Sequence, residues 1–145
     1  MPGSMMLARR IKDAVIPATT GTMATYPTGT TASIEVDSSG TAGTAGSPMT
    51  EIAAASVITS EYRITSVVVS GFESATRYTF TLGYGTAGSE TVLGTFSVAA
   101  GATTDAFVVP VSMPNIPANS RVAIQSAVLT GTNQHCDIAI NYVTV

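Results

Sequence analysis

Residues 77–82 read Arg77-Tyr78-Thr79-Phe80-Thr81-Leu82, and this stretch decides the fold class. Tyr78, Phe80 and Leu82 alternate strictly with Arg77, Thr79 and Thr81. A period of two puts the two sets on opposite faces of a half-buried β-strand, whereas a helix would mix them. Turn-forming residues follow, Gly83-Tyr84-Gly85-Thr86-Ala87-Gly88-Ser89-Glu90. Alternation then resumes at 91–98, with Val92, Phe96 and Val98 on one side and Gly94 between them. Two strands around a glycine-rich turn predict a hairpin. The turn has the GxGxxG spacing of a dinucleotide site, but that site needs a helix to open behind the glycines. A strand follows instead, so the glycines serve the positive φ of the turn.

The same grammar extends outward. Upstream lie residues 30–37, with Ile34 and Val36 inward, and then a flexible Gly-rich loop at 38–48. Residues 51–60 and 61–70 follow, as two strands or as one long strand with a kink. Downstream lie residues 107–113 (Phe107, Val109, Val111, Met113), 121–129 (Val122, Ile124, Val128) and 136–145 (Ile138, Ile140, Tyr142). Pro110 cannot donate to a ladder and is expected at an edge or a bulge. About eight strands without a helical interruption predict an all-β chain, a single antiparallel β-sandwich that is jelly-roll-like. Residues 1–29 are read as an extended N-terminal arm and a Pro- and Gly-punctuated lead-in, and residues 30–145 as the sandwich domain.

Composition points the same way. The chain has 145 residues, enough for one domain with a real core. Only 10% are charged, against the usual quarter, while 23 are Thr. Helix-forming surface residues are scarce, and the hydrophobic share of 45% is too high for disorder. The net charge of −3 argues against a nucleic-acid binder, which needs clustered Lys and Arg. No apolar run is long enough for a membrane-spanning helix, and Pro17 interrupts any secretory h-region. The single cysteine excludes an internal disulfide. A surface so poor in charge suits burial in an assembly better than life as a free monomer.

Charge is also unevenly placed. Residues 1–13 hold Arg9, Arg10, Lys12 and Asp13, a net +2, and the rest set three Arg against eight acids, a net −5. Leu7, Ile11 and Ala14/Val15 recur at i, i+4 and i+7/8, the spacing of a short amphipathic turn. We read Leu7, Arg9, Arg10, Ile11 and Lys12 as a docking arm for an acidic partner surface; the ordinary alternative is a solvated terminus.

Catalytic chemistry is not expected, and no cofactor or metal site is assigned. His135 and Cys136 are adjacent, so a strand points them to opposite faces. There is no second His for a triad or a His-rich metal site, and no GxSxG elbow. Glu35 and Asp37 share a strand face, too few oxygens for calcium. Tyr84, in the Gly-rich turn, is the one aromatic expected to be exposed, a possible surface-loop contact.

Two segments carry a family resemblance. Residues 83–90 resemble a "GxGxAGSE" turn, and Ile116-Pro117-Ala118-Asn119-Ser120-Arg121-Val122-Ala123 resembles "IPAGSRIA", with Asn119 in place of a glycine. Both occur in small β-sandwich virion proteins of tailed bacteriophages, and Cys136-Asp137-Ile138-Ala139-Ile140 looks like the final strand of that family. The match covers about half the chain, residues 75–143. Asn tolerates the left-handed conformation, so the turn can survive the change. The resemblance implies a non-enzymatic capsid decoration (cement) protein on the virion surface, bound to the major capsid protein and forming a homo-oligomer, a trimer by preference. The competing expectation is a tail-fibre or head-spike module that binds a receptor or glycan near Tyr84 and residues 38–48.

Overall fold

The structure is a computed structural model in which residues 21–29 and 33–145 are described. Nine strands form among them: β1 (Met23–Tyr26), β2 (Ile34–Asp37), β3 (Thr50–Ala53), β4 (Tyr62–Ser70), β5 (Arg77–Tyr84), β6 (Thr91–Ala99), β7 (Phe107–Pro110), β8 (Val122–Val128) and β9 (His135–Thr144). One sheet has the order β1-β9-β4-β7, with β2 pairing β9 beside β1; the other has the order β3-β8-β5-β6. Every strand pairing is antiparallel. Strands β2 to β9 interleave as 2-9-4-7 over 3-8-5-6, the order of a jelly roll. The eight strands read from the sequence are these eight, and β1 is an addition to them.

Alternation builds the core. Tyr78, Phe80 and Leu82 of β5 are buried, and they meet Val67 and Val69 of β4, Val122, Ile124 and Val128 of β8, and Cys136, Ile138 and Ile140 of β9. Aromatic rings bind the two layers, with Phe72 5.1 Å from Tyr78 and 5.9 Å from Phe107. Pro110 falls on β7, which pairs only with β4 and ends its sheet, as its missing N–H requires. Asn119 takes φ 61, so it does fill the left-handed position of its turn.

One alternative left open by the sequence is decided, and three details differ from the sequence reading. Residues 51–70 are two strands in different sheets, β3 and β4, joined by a turn in which Val57 N–H donates to the Ala54 carbonyl and Ser56 takes φ 70. No Gly or Pro marks that crossing, so periodicity alone leaves the choice between one strand and two open. Residues 38–48 are pinned rather than flexible: Gly43 N–H donates to the Val128 carbonyl at 2.7 Å and Gly46 N–H to that of Ser126 at 2.9 Å. Part of the lead-in is the strand β1, which pairs with Ile140–Val143 of β9. Val92 is 59% exposed, because a bulge opposite Leu82/Gly83 inserts Leu93 and turns Val92 outward.

Tyr62 carries an internal liability. Its ring is fully buried and packs edge-on to Tyr142 at 5.3 Å, but its hydroxyl finds no partner among the described residues. Burial pushes this phenol well above its ordinary pKa. A buried polar atom without a hydrogen bond costs about 1–3 kcal/mol. Tyr62→Phe keeps the ring and removes that atom, so it is expected to raise unfolding free energy by about 1 kcal/mol in urea titrations. A loss of stability would mean that the hydroxyl has a partner.

Candidate interaction surface

The outward face of the five-stranded sheet can be read row by row from its register. Glu35 lies opposite Asp137, which lies opposite Ser70; one row further out, Asp37 lies opposite His135. The next row inward is apolar, with Ala139 opposite Val68 and Val68 opposite Val108. Then comes a polar row, Thr25, Asn141, Ser66 and Pro110. Thr25 Oγ1 donates to Asn141 Oδ1 at 2.6 Å, and Asn141 Nδ2 donates to Ser66 Oγ at 2.8 Å, which places these side chains on one face. The last row holds Met23, Val143 and Arg63. The face therefore grades from carboxylates at one end, through an apolar stripe, to a single cation at the other. Val108 is 65% exposed, an outward valine on an edge strand.

The described chain enters at the Arg63 end of this face. Thr22 N–H donates to Thr144 Oγ1 at 2.9 Å, and Thr144 N–H donates to the Thr22 carbonyl at 3.1 Å. Gly21 lies so close to the Thr144 carbonyl and the Val143 side chain that a Cβ there would overlap both. Leu7, Arg9, Arg10, Ile11 and Lys12, the arm residues singled out by sequence, lie outside the described residues.

Tyr84 is not the exposed ring expected. Strand β5 runs two residues past Leu82, so Tyr84 keeps the inward phase of Tyr78, Phe80 and Leu82 and packs half-buried against the core. The glycines beside it do make a hairpin turn, with Gly85 at φ 109 and Gly88 at φ 81.

Sequence reasoning missed the most connected ion cluster. Arg121 Nε donates to Glu51 Oε2 at 2.9 Å, and its Nη1 donates to Glu90 Oε1 at 2.8 Å. Its Nη2 also reaches the Met49 carbonyl at 3.4 Å. The three side chains come from the start of β8, from β3 and from the turn between β5 and β6, which Arg121 ties together. The partners are 70 and 31 residues away in the chain, so no local motif announces them. This cluster is a brace between the three segments.

His135 and Cys136 point to opposite faces. His135 Nδ1 lies 3.1 Å from Glu73 Oε2, while the Cys136 side chain is fully buried. Burial, and then the nearby charges of Asp137 and Asp37, push the Cys136 thiol up to about 12. The thiolate is the reactive form. Cys136 is therefore expected to ignore maleimide in the folded protein at neutral pH and to label at once in urea; labelling without denaturant would contradict this. Among the described residues, no three His, Cys, Asp or Glu side chains gather to hold a metal.

No family model matches the chain, and no curated protein matches it. Among solved structures, one described as "Structure of Eiger TNF from S. frugiperda" is similar at 12% identity over 86% of this chain and 92% of that chain, with a TM-score of 0.49. The jelly-roll order above rests on this chain's own strand pairings. Of the bacteriophage resemblance, the β-sandwich stands as fold; the comparisons show no phage family.

Proposed function

We propose that this chain is a non-enzymatic bacteriophage virion protein, a capsid decoration protein that binds the major capsid protein on the outer capsid surface and bridges neighbouring subunits through its N-terminal arm. The observation that carries the reading is the arm's charge and point of entry. A segment of net +2 joins a sandwich of net −5 at the edge of a sheet whose outer face carries carboxylates at its far end. A cement protein needs a rigid domain, weakly charged faces to lie against neighbours, and a reaching segment; the β-sandwich and the chain's low charge support the first two, and the basic residues 1–13 support the third. The receptor- or glycan-binding alternative loses its main support, because the Tyr84 ring packs inward.

Deleting residues 1–13 tests the arm. The truncated chain is expected to remain folded, with a cooperative thermal transition, and to bind purified capsids at least about tenfold more weakly, a loss of about 1.4 kcal/mol. The full chain should lose part of its affinity as salt rises, because exposed charges are screened beyond about 10 Å at 0.1 M. Unchanged capsid binding after the deletion would overturn the role of the arm.

A further inference from the structure

We propose that the outer face of the five-stranded sheet is the seat of the chain's own residues 5–16. The apolar side chains Leu7, Ile11 and Val15 would cover the stripe Val108–Val68–Ala139, and Arg9, Arg10 and Lys12 would meet the carboxylates of Glu35, Asp37 and Asp137. Charge complementarity is the first argument. Glu35 and Asp137 are directly opposite one another in register, a like-charge pairing that destabilises a sheet. None of Glu35, Asp37 and Asp137 forms an ion pair among the described residues. A segment with three cations and one acid would offset that repulsion.

Pattern is the second argument. The face carries an apolar row beside its acidic end, and the segment carries apolar residues interspersed with its cations. Both kinds of side chain that the face calls for, apolar and cationic, are thus present within one short segment. Reach is the third. From Thr144, beside which the described chain begins at Gly21, to the row of Asp137 is seven residues of β9, about 24 Å. The nine residues from Lys12 to Gly21 can extend about 30 Å, which leaves slack for a reversal at Pro17 or Gly21. The same length also reaches the equivalent face of an adjacent copy. In either case one segment screens the acidic end and the exposed Val108 from water.

Cross-linking of the purified full chain tests this without any capsid. Ile11→Cys is combined with Val108→Cys, and in a control with Thr95→Cys, on the exposed outer side of the other sheet. Under mild oxidation the Val108 pair is expected to bond at least about tenfold faster than the control, since a seated segment has a far higher effective concentration. A bond within one chain or between two copies supports the proposal alike. Arg10→Glu with Lys12→Glu should slow the bond, and adding Glu35→Lys with Asp37→Lys should restore it. Equal rates for the two pairs, or a rate indifferent to these charge changes, would overturn the proposal. Because no capsid is present, failure here leaves the decoration reading intact, and failed capsid binding leaves the cross-link intact.

Discussion

Phe80→Ala is expected to lower the unfolding free energy by about 3–5 kcal/mol. Phe80 lies on β5, an inner strand of its sheet, opposite Phe96 on one side and Ser126 on the other. Its side chain is fully buried, its ring stacks 5.1 Å from Phe96 and runs nearly parallel to Tyr78 at 6.3 Å. Both neighbours are fixed by strand pairing, so the space left by the ring cannot collapse, and the cavity term adds to the lost transfer energy. The chain has no Trp and only nine aromatic residues, so few other side chains supply comparable buried area. Domains of this kind are stable by only about 5–15 kcal/mol, so the variant should unfold at a much lower urea concentration. Phe96→Ala, at a half-buried ring on the edge strand β6, should cost distinctly less. A Phe80→Ala variant within about 1 kcal/mol of wild type would mean that the two sheets close over the gap.

The same stretch shows what was legible in the sequence. Period-two alternation names Tyr78, Phe80 and Leu82 on the inward face of β5, because every other residue there is large and apolar, but it stops short of Tyr84, which the glycines beside it assign to the turn. It also finds the inward residues of β8 and β9. It fails where the backbone leaves the regular count, since the bulge at Leu93 reverses Val92, and it does not decide by itself whether residues 51–70 are one strand or two. Strand β1 is hidden because Pro and Gly flank only four residues. The candidate surface was half visible. Glu35 and Asp37 share a face by spacing, but Asp137 joins them only through the register of β2 on β9, a fact about pairing. The apolar stripe comes from three strands, with one residue from each. Local sequence contains none of that adjacency.

Arg121→Met is the second large effect, and its signature is a dependence on pH. The Arg121 side chain is 14% exposed and that of Glu90 9%, so this ion pair is shielded, unlike the arm of the cluster that reaches Glu51 at 48%. The Glu90 carboxyl is held below its ordinary pKa, first by a hydrogen bond to its own backbone and then by the Arg121 guanidinium. A carboxyl whose pKa is lower folded than unfolded stabilises the fold above the unfolded value, and that contribution disappears as pH falls through the folded value. Methionine keeps much of the aliphatic stem but leaves Glu90 with only its backbone bonds, to its own N–H and to that of Gly88, so the part of the depression due to Arg121 is lost. Urea midpoints should therefore separate wild type and variant most at about pH 7 and converge towards about pH 3, where the carboxylates protonate. Arg121→Lys should recover little, since an ammonium cannot span both carboxylates as the planar fork does. Adding Glu90→Gln to Arg121→Met should cost less than the sum of the two single changes, because the second removes the charge that the first had stranded. A gap between wild type and Arg121→Met that stays constant with pH would mean that Arg121 braces the three segments by packing alone.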